Sequence, residues 1–334
     1  MRRTLNALVT LLFLILFIFV LVHVLAPTPL ALARLYAPNP HVPPSDLQVI
    51  IKQYDLDAPL WVQFYNYVVD LLHGNLGLDI LYKVSEVYLV AKFLPITLEL
   101  VLTGLVIAVV LGIFTGAIAA VNRPGALDNG IRILYIATWS SPPFLVAFIV
   151  QLFVAYELGL LPSTGMIDPG LAAPPAITGF LLVDSLLSGD LTYFMSALHH
   201  LILPAFVIAV VSFGVVTRIM RSSMIEALDK DYVRLDYMKG YSKRQAAYGT
   251  AFRNAIIPII TLCALFFGTS TAGAVIVEDI FDYHGMGYFT VQAIYGLDYV
   301  GILAVTLVVG ISVIIANFVA DVLYGLADPR IRLT

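Results

Sequence analysis

The residues of this sequence that could do chemistry are few, and they lack the partners that catalysis needs. Ser270 lies in an apolar run, where an intramembrane serine protease would pair it with a histidine at matching depth in another span. No histidine lies in the last apolar run. There is no His-Glu-x-x-His motif, and the adjacent His199 and His200 would not face one another on a helix. We therefore expect no catalytic residue and no metal-binding residue.

Nucleotide and thiol chemistry are missing as well. The sequence contains no Gly-x4-Gly-Lys-Ser/Thr, the motif whose backbone loop holds nucleotide phosphates. Its single cysteine, Cys263, excludes an intrachain disulfide and a thiolate metal cluster. We expect no cofactor in this chain, and any energy source must be a separate polypeptide.

The amino-acid composition predicts what kind of secondary structure positions these residues. Of 334 residues, 60% are hydrophobic and only 12% are charged, and the mean hydropathy is +0.94. A chain of this kind needs lipid as solvent. Because each spanning segment must satisfy its own backbone hydrogen bonds, the long apolar runs predict helices, and the fold class is an all-α membrane protein.

Six apolar runs have the length of a membrane span, which is about 20 residues. They are Leu5–Ala26, Leu94–Val121, Ile131–Tyr156, Leu201–Ile219, Ala255–Val277 and Val300–Tyr324. The first run follows Arg2 and Arg3, just as the apolar region of a signal peptide follows basic residues. It is longer than the about 7–15 apolar residues of a signal peptide, so we interpret it as a retained helix. Pro142 and Pro143 predict a kink in the third span.

The basic residues predict the orientation of these six transmembrane helices. If both termini are cytoplasmic, 14 of the 18 basic residues lie inside and four lie outside. The four are Arg34, Lys52, Lys83 and Lys92. This asymmetry agrees with the tendency of cytoplasmic loops to carry positive charge.

The orientation leaves a large external loop between the first two helices. Within it, Ser45 is a candidate N-cap, and a helix is predicted from Pro59 to Gly74. Apolar residues of that helix recur at helical spacing, which predicts an amphipathic helix on the outer surface. Residues 177–187 are apolar but too short to cross, and predict an external hairpin or surface helix. We divide the chain into 1–93, the first helix with its external loop, and 94–334, a five-helix core.

The densest charged segment is the predicted cytoplasmic loop 221–254, between the fourth and fifth spans. A helix is predicted over Asp231–Lys239, followed by Gly240 at the position where a chain reverses after a helix, and by a second helix. Tyr232, Leu235 and Met238 share one face of the first helix. Such a surface suits docking to another protein, but an ordinary solvated basic loop would show the same charge.

This segment contains, in order, Asp231-Tyr-Val-Arg234, Lys239-Gly240, Arg253-Asn-Ala255 and Pro258. These motifs are similar to the EAA-type coupling loop of ABC importer permeases, in the branch that serves dipeptides and oligopeptides. Further matching blocks in the same order are Leu56–Gln63, His73–Gly77, Leu94–Leu100, Ser141–Phe144, Leu161–Gly165, Glu278–Phe281 and Tyr324–Arg330. One departure is Asp236, where the family usually has alanine; it could pair with Lys239 or Lys243, or meet a basic groove on a partner.

The resemblance implies a permease subunit of a type I ABC importer that forms half of a translocation path. The implied coupling residues are Asp231, Tyr232, Arg234, Leu235, Asp236, Met238, Lys239 and Gly240. Implied partners are a second homologous permease subunit, two ATPase subunits that hold ATP and Mg²⁺, an external solute-binding protein and membrane lipid. Nucleic acid is not an expected partner. Peptide is the first expectation for the cargo, and nickel, glutathione or oligosaccharides are alternatives within the same architecture.

The external segment 278–299 is acidic, aromatic and rich in glycine. It could form a gate or a contact for the solute-binding protein through Glu278, Phe281, Gly285, Gly287 and Asp298, or it could simply be a well-packed loop. A free-standing secondary transporter is the remaining alternative, and the absence of an internal repeat argues against it. Within the spans, Glu99 could be functional, since charge in lipid is costly. It lies one turn into the second span, where a carboxylate meets the favourable end of the helix dipole, so we expect a structural role and no substrate contact.

Overall fold

The computed structural model describes residues 2–37, 42–79 and 81–327. Within these ranges the chain forms helices joined by turns, and its only β-type pairing is an isolated bridge between Leu78 and Ser85. The predicted all-helical fold is confirmed.

Four helices make up the amino-terminal part: α1 (Arg2–Leu25), α2 (Pro29–Leu35), α3 (Pro44–Gln53) and α4 (Leu60–Leu72). The prediction that Ser45 caps α3 is wrong. The helix starts two residues earlier than such a cap implies, at Pro44 with Pro43 as the N-cap, and Ser45 lies in its first turn. The physical reason is Pro44, whose fixed φ suits the first helical position, where its missing N–H costs nothing.

Helix α4 confirms the helix predicted between Pro59 and Gly74, and it packs on the end of α1; its external position stays a prediction. The rings of Phe64 and Phe19 lie edge to face with centroids 5.2 Å apart. Gln63 Oε1 lies 2.9 Å from His23 Nε2. These contacts hold α4 against the first apolar helix.

The centre of the molecule is a pair of long helices, α5 (Glu86–Val121) and α9 (Leu191–Leu228). Small residues recur every four positions along α5, at Gly104, Ala108, Gly112 and Gly116, and let the two backbones approach closely. A methyl group added at Gly112 would lie 2.6 Å from Val216 Cγ1, so the contact tolerates no side chain there.

Between these helices lie α6 (Ala126–Ser140), α7 (Pro143–Val150) with a π-helical continuation at Gln151–Glu157, and α8 (Leu181–Ser188). The segments Ala126–Ser140 and Pro143–Glu157 meet at an angle of 105°. The kink predicted at Pro142 and Pro143 is confirmed, and it is a full break because proline removes backbone donors at the joint. Helix α8 is the short surface helix expected within 177–187.

The remaining helices are α10 (Asp231–Met238), α11 (Lys243–Ala246), a π-helical segment Ala247–Ala251, α12 (Phe252–Ala255), α13 (Ile257–Ile280), α14 (Met286–Tyr295) and α15 (Tyr299–Ala327). Helix α1 packs on α15, where Leu14 occupies the space beside Gly310. Helix α13 packs against α15, α9 and α5.

Four helices of the described chain are long and apolar enough to cross a membrane, and the bent pair makes five if it counts as one span. Helix α13 covers the fifth predicted run from Ile257 onward. A multi-pass helical membrane protein is therefore the architecture, while six spans, the placement of the termini and the division at residue 93 stay predictions.

Candidate coupling site and external segment

Helix α10 ends in the turn that the sequence predicts. Lys239 is its C-cap, and Gly240 has a φ of +87°. Tyr241 N–H donates to Asp236 O (3.0 Å) and Gly240 N–H donates to Tyr237 O (3.0 Å). These two bonds form a Schellman motif, which requires a residue in the left-handed region and so favours glycine.

The outer face of α10 is apolar and uncovered. Leu235 is 54% exposed and Met238 is 83% exposed, and Tyr237 and Tyr241 are exposed beside them. Tyr232, predicted to share this face, is only half-buried, packed against the cluster below, and burial raises the pKa of its hydroxyl. Sequence reasoning missed the two tyrosines, which are visible as aromatic residues on either side of Gly240.

Val233 anchors α10 to the rest of the protein. Its side chain is fully buried in an apolar cluster that also contains Met220 and Met224 of α9, Ala117 of α5 and Ile259 of α13. The cluster therefore connects the exposed α10 to three long helices. The sequence pattern did not single out Val233, because its burial depends on contacts with residues far along the chain.

The charged residues of α10 divide into an exposed pair and a buried carboxylate. Arg234 Nη1 lies 3.2 Å from Asp231 Oδ1, and both side chains are exposed. Asp236 is buried, and its Oδ2 has no hydrogen-bond partner among the described residues. Within that part of the chain no ion pair joins it to Lys239 or Lys243.

A strong ion pair lies close to this site. Arg221 Nε and Nη2 donate to the two oxygens of Asp128 at 2.6 and 2.7 Å. Asp128 is 4% exposed and Arg221 is 20% exposed. This two-pronged geometry fixes the start of α6 to the end of α9, and sequence reasoning missed it because the two residues lie 93 positions apart.

The segment after Gly240 forms the second predicted helix, in several pieces. Ser242 caps α11 through a reciprocal pair of hydrogen bonds with Gln245, which satisfies two helix-end donors. The chain then passes through Ala247–Ala251 and α12 into α13. A helix, a glycine turn and a second helix thus lead directly into a long apolar helix.

The external segment is organised around one buried carboxylate, Glu278. It accepts hydrogen bonds from Thr97 Oγ1 (2.6 Å), Gly287 N (2.7 Å) and Tyr288 N (3.1 Å). Thr97 Oγ1 in turn accepts from Met286 N (2.7 Å). The network joins α5 to the first turn of α14, where a helix provides unpaired N–H groups and favours negative charge.

Two glycines make this network possible. A methyl group at Gly285 would overlap Thr97 Oγ1 and the Glu278 carboxylate, and one at Gly287 would overlap the backbone of Val275. Phe281, also a predicted site residue, is buried in the main core, and its carbonyl accepts from Gly165 N (2.8 Å).

Asp298 is fully buried, and its Oδ1 accepts from Gly301 N (3.0 Å) at the start of α15. Glu278, Phe281, Gly285 and Gly287 are buried too. This burial is what a well-packed external segment requires. A gate or receptor role for the five residues stays a prediction.

Glu99 has a partner that sequence reasoning did not identify. Its Oε2 and Oε1 accept from Leu181 N (2.9 Å) and Leu182 N (3.0 Å) at the start of α8. The buried carboxylate therefore caps a surface helix, and its role in the described structure is positional.

The long apolar helices, the bent pair and the charged loop between α9 and α13 define a class: a multi-pass helical membrane protein. Comparison with known families identifies it further. Residues 108–333 match the family described as binding-protein-dependent transport system inner membrane component, and residues 1–80 match the amino-terminal region of such components. The chain belongs to this family, and it is a transport subunit rather than an enzyme.

Relatives resemble the chain over most of its length. It is 39% identical over 277 residues to the di/tripeptide transport system permease protein DppB of Pseudomonas aeruginosa. That alignment covers 83% of this chain and 82% of the relative. It is 38% identical over 313 residues to the probable D,D-dipeptide transport system permease protein DdpB of Escherichia coli, covering 94% and 91%. The oligopeptide transport system permease protein AppB of Bacillus subtilis is 30% identical over 334 residues, covering 99% and 98%. The family resemblance found in the sequence is confirmed.

Proposed function

We propose that the chain is a permease subunit of an ATP-driven peptide importer, and that α10 transmits the movements of separate ATPase subunits to the membrane helices. The observation that carries the proposal is the geometry of α10. One face is apolar and exposed, while Val233 on the other side is buried in a cluster shared with α5, α9 and α13. The names of the relatives support peptide as the cargo.

The transmission follows from packing. Close-packed side chains transmit displacement because cores have low compressibility. A push on Leu235 and Met238 would move α10 as a rigid piece, and Val233 would pass the movement to Met220 and Met224 of α9. The Arg221–Asp128 pair would carry it on to α6. The bundle would act as the two-state element that opens to one side at a time.

The assembly proposed around this chain has a second homologous permease subunit, two ATPase subunits and an external solute-binding protein. ATP and Mg²⁺ would bind on the ATPase subunits. In the proposed arrangement, six spans place both termini in the cytoplasm, and this chain supplies half of the path. The apolar outer surfaces of α6 and α7, with Ile133 and Trp139 exposed, are available for lipid or the second permease subunit.

The proposal is tested by changing the exposed face without disturbing the fold. Met238→Asp should leave the chain folded, because the side chain is 83% exposed, but should prevent ATPase subunits from co-purifying with the membrane complex. Tyr295→Asp, at an equally exposed aromatic residue of α14, is the matched control and should leave co-purification intact. Normal ATPase binding and uptake by Met238→Asp would refute the docking role of α10.

The cargo is tested separately, on the partner solute-binding protein. Peptides should raise its melting temperature in a saturable manner, and oligosaccharides should not. A shift with oligosaccharides alone would overturn the peptide assignment while leaving the permease architecture in place.

A further inference from the structure

Three buried carboxylates meet where the segment before α5 contacts the start of α15. Asp79, Glu86 and Asp298 are 2%, 0% and 0% exposed. Each offers one carboxylate oxygen, and these oxygens all lie within 4.8 Å of one another. Of the three, sequence reasoning named only Asp298.

The backbone brings the three together by close packing. Asp79 N–H donates to Val84 O (2.9 Å), and Glu86 N–H donates to Gly77 O (3.0 Å), which closes a tight loop. The loop is pressed against the segment that carries Asp298: a methyl group at Gly77 would lie 2.6 Å from Val300 Cγ1. The juxtaposition is therefore built by the fold.

Two of the three carboxylates hold oxygen atoms without a partner among the described residues. Both oxygens of Glu86, and Oδ2 of Asp79, accept no hydrogen bond in that part of the chain, and there neither Asp79 nor Glu86 forms an ion pair with a basic side chain. Asp79 Oδ1 accepts from Tyr82 N. Burial raises the pKa of Asp79 to about 6. A buried, unpaired carboxylate is costly, so a cation or protons must offset the charge.

We propose that Asp79, Glu86 and Asp298 form a binding site for a hard divalent cation of the calcium type, which fastens the external loop to the start of α15. Oxygen ligands suit Ca²⁺, which binds them at about 2.3–2.6 Å, so two ligands of one ion can be at most about 4.6–5.2 Å apart. The oxygens of the trio, all within 4.8 Å of one another, satisfy this limit. The trio contains no nitrogen or sulfur ligand of the kind that zinc or copper prefers. The predicted orientation places the site outside, where calcium-binding modules have Kd values of about 10⁻⁴–10⁻³ M.

The rival explanation is that protons neutralise the trio, with Asp79 and Asp298 sharing one. The two explanations differ in what Glu86→Gln does. This change keeps the size of the side chain and removes its charge. If the site holds Ca²⁺, the variant binds the ion at least about tenfold more weakly, because one of three charged ligands is lost.

The test uses the full chain purified in detergent, freed of cations with EDTA and titrated with CaCl₂, with MgCl₂ in parallel. Calorimetry should find one Ca²⁺ per wild-type chain, and the unfolding temperature should rise by about 5 °C at a hundredfold excess over Kd. Glu86→Gln should lose this rise, and in EDTA it should be at least as stable as the wild type, which shows that it folds. Glu99→Gln is the control, because its carboxylate caps α8 elsewhere, and it should keep the full Ca²⁺ response.

Absence of saturable Ca²⁺ binding by the wild-type chain would overturn the proposal in favour of shared protons. An undiminished Ca²⁺ response in Glu86→Gln would also overturn it, since the ion would then bind elsewhere. A stronger response to Mg²⁺ than to Ca²⁺ would reject the calcium-type assignment.

Discussion

Replacing Gly240 tests how much the coupling role of α10 depends on the turn that follows it. Gly240 has a φ of +87°, and an added methyl group would meet nothing within 4 Å. The cost of a substitution is therefore backbone strain alone, about 1–2 kcal/mol for alanine in the left-handed region and more for a β-branched residue. Relief of the strain by opening the turn would break two hydrogen bonds, worth about 1 kcal/mol each.

The strain of Gly240→Val thus disfavours the ordered turn by about 2 kcal/mol, and the two hydrogen bonds set a similar upper limit because opening the turn relieves the strain at their cost. At about 1.4 kcal/mol for each factor of ten, the ordered turn would be roughly 30-fold less favoured. The outer face that carries Met238 would lose its fixed position, while the buried anchor at Val233 would keep the chain folded. We expect the variant to reach the membrane in normal amount and to uncouple uptake from ATP hydrolysis.

The assay is cargo uptake and ATP hydrolysis measured together in proteoliposomes containing the whole transporter. Gly240→Val should lower uptake per ATP hydrolysed by about tenfold or more, and Gly240→Ala should lower it less. Gly249→Ala is the matched control, because Gly249 lies in the same segment with open space around it and no positive φ; it should transport normally. Unchanged coupling in Gly240→Val would refute the reasoning.

Three further outcomes are expected. The chain purified alone should show no saturable ATP binding, and equilibrium dialysis with labelled ATP checks this; saturable binding would contradict it. Asp128→Ala should lower the free energy of unfolding by about 2–3 kcal/mol. This is at or below the range for fully buried ion pairs, because Arg221 keeps some contact with water. Thermal unfolding in detergent measures the loss, and an unchanged melting temperature would show that the pair is not stabilising. Gly112→Leu should destabilise the α5–α9 contact by about 1–3 kcal/mol through overpacking, whereas Gly130→Ala, a helical glycine in open space, should not.

The positions of the long helices could be predicted because lipid demands long apolar segments, and each of the six runs is mostly helical in the described structure, the third being broken between α6 and α7. The turn at Gly240 could be predicted because a glycine directly after a helix typically adopts the left-handed conformation that ends the helix. The break at Pro142 and Pro143 was predictable as a kink, but its angle of 105° depends on how α7 packs against α9 and α13.

Other features could not be predicted because they arise from contacts between distant parts of the chain. The sequence places Tyr232, Leu235 and Met238 on one helical face, but it does not show that Val233 anchors the helix while Tyr232 is partly covered. Glu99 is visible as a costly charge, yet its partners at the start of α8 lie more than 80 residues away.

The central claim, that α10 docks into a separate ATPase subunit, is tested most directly by crosslinking. A photoreactive thiol reagent would be attached to Met238→Cys in a Cys263→Ala background, which has no other cysteine, within the assembled transporter. Illumination should join this chain to the ATPase subunit, and the same label at Tyr295→Cys should not. Crosslinking to the ATPase from residue 295 and not from residue 238, in a complex that still hydrolyses ATP, would contradict the account.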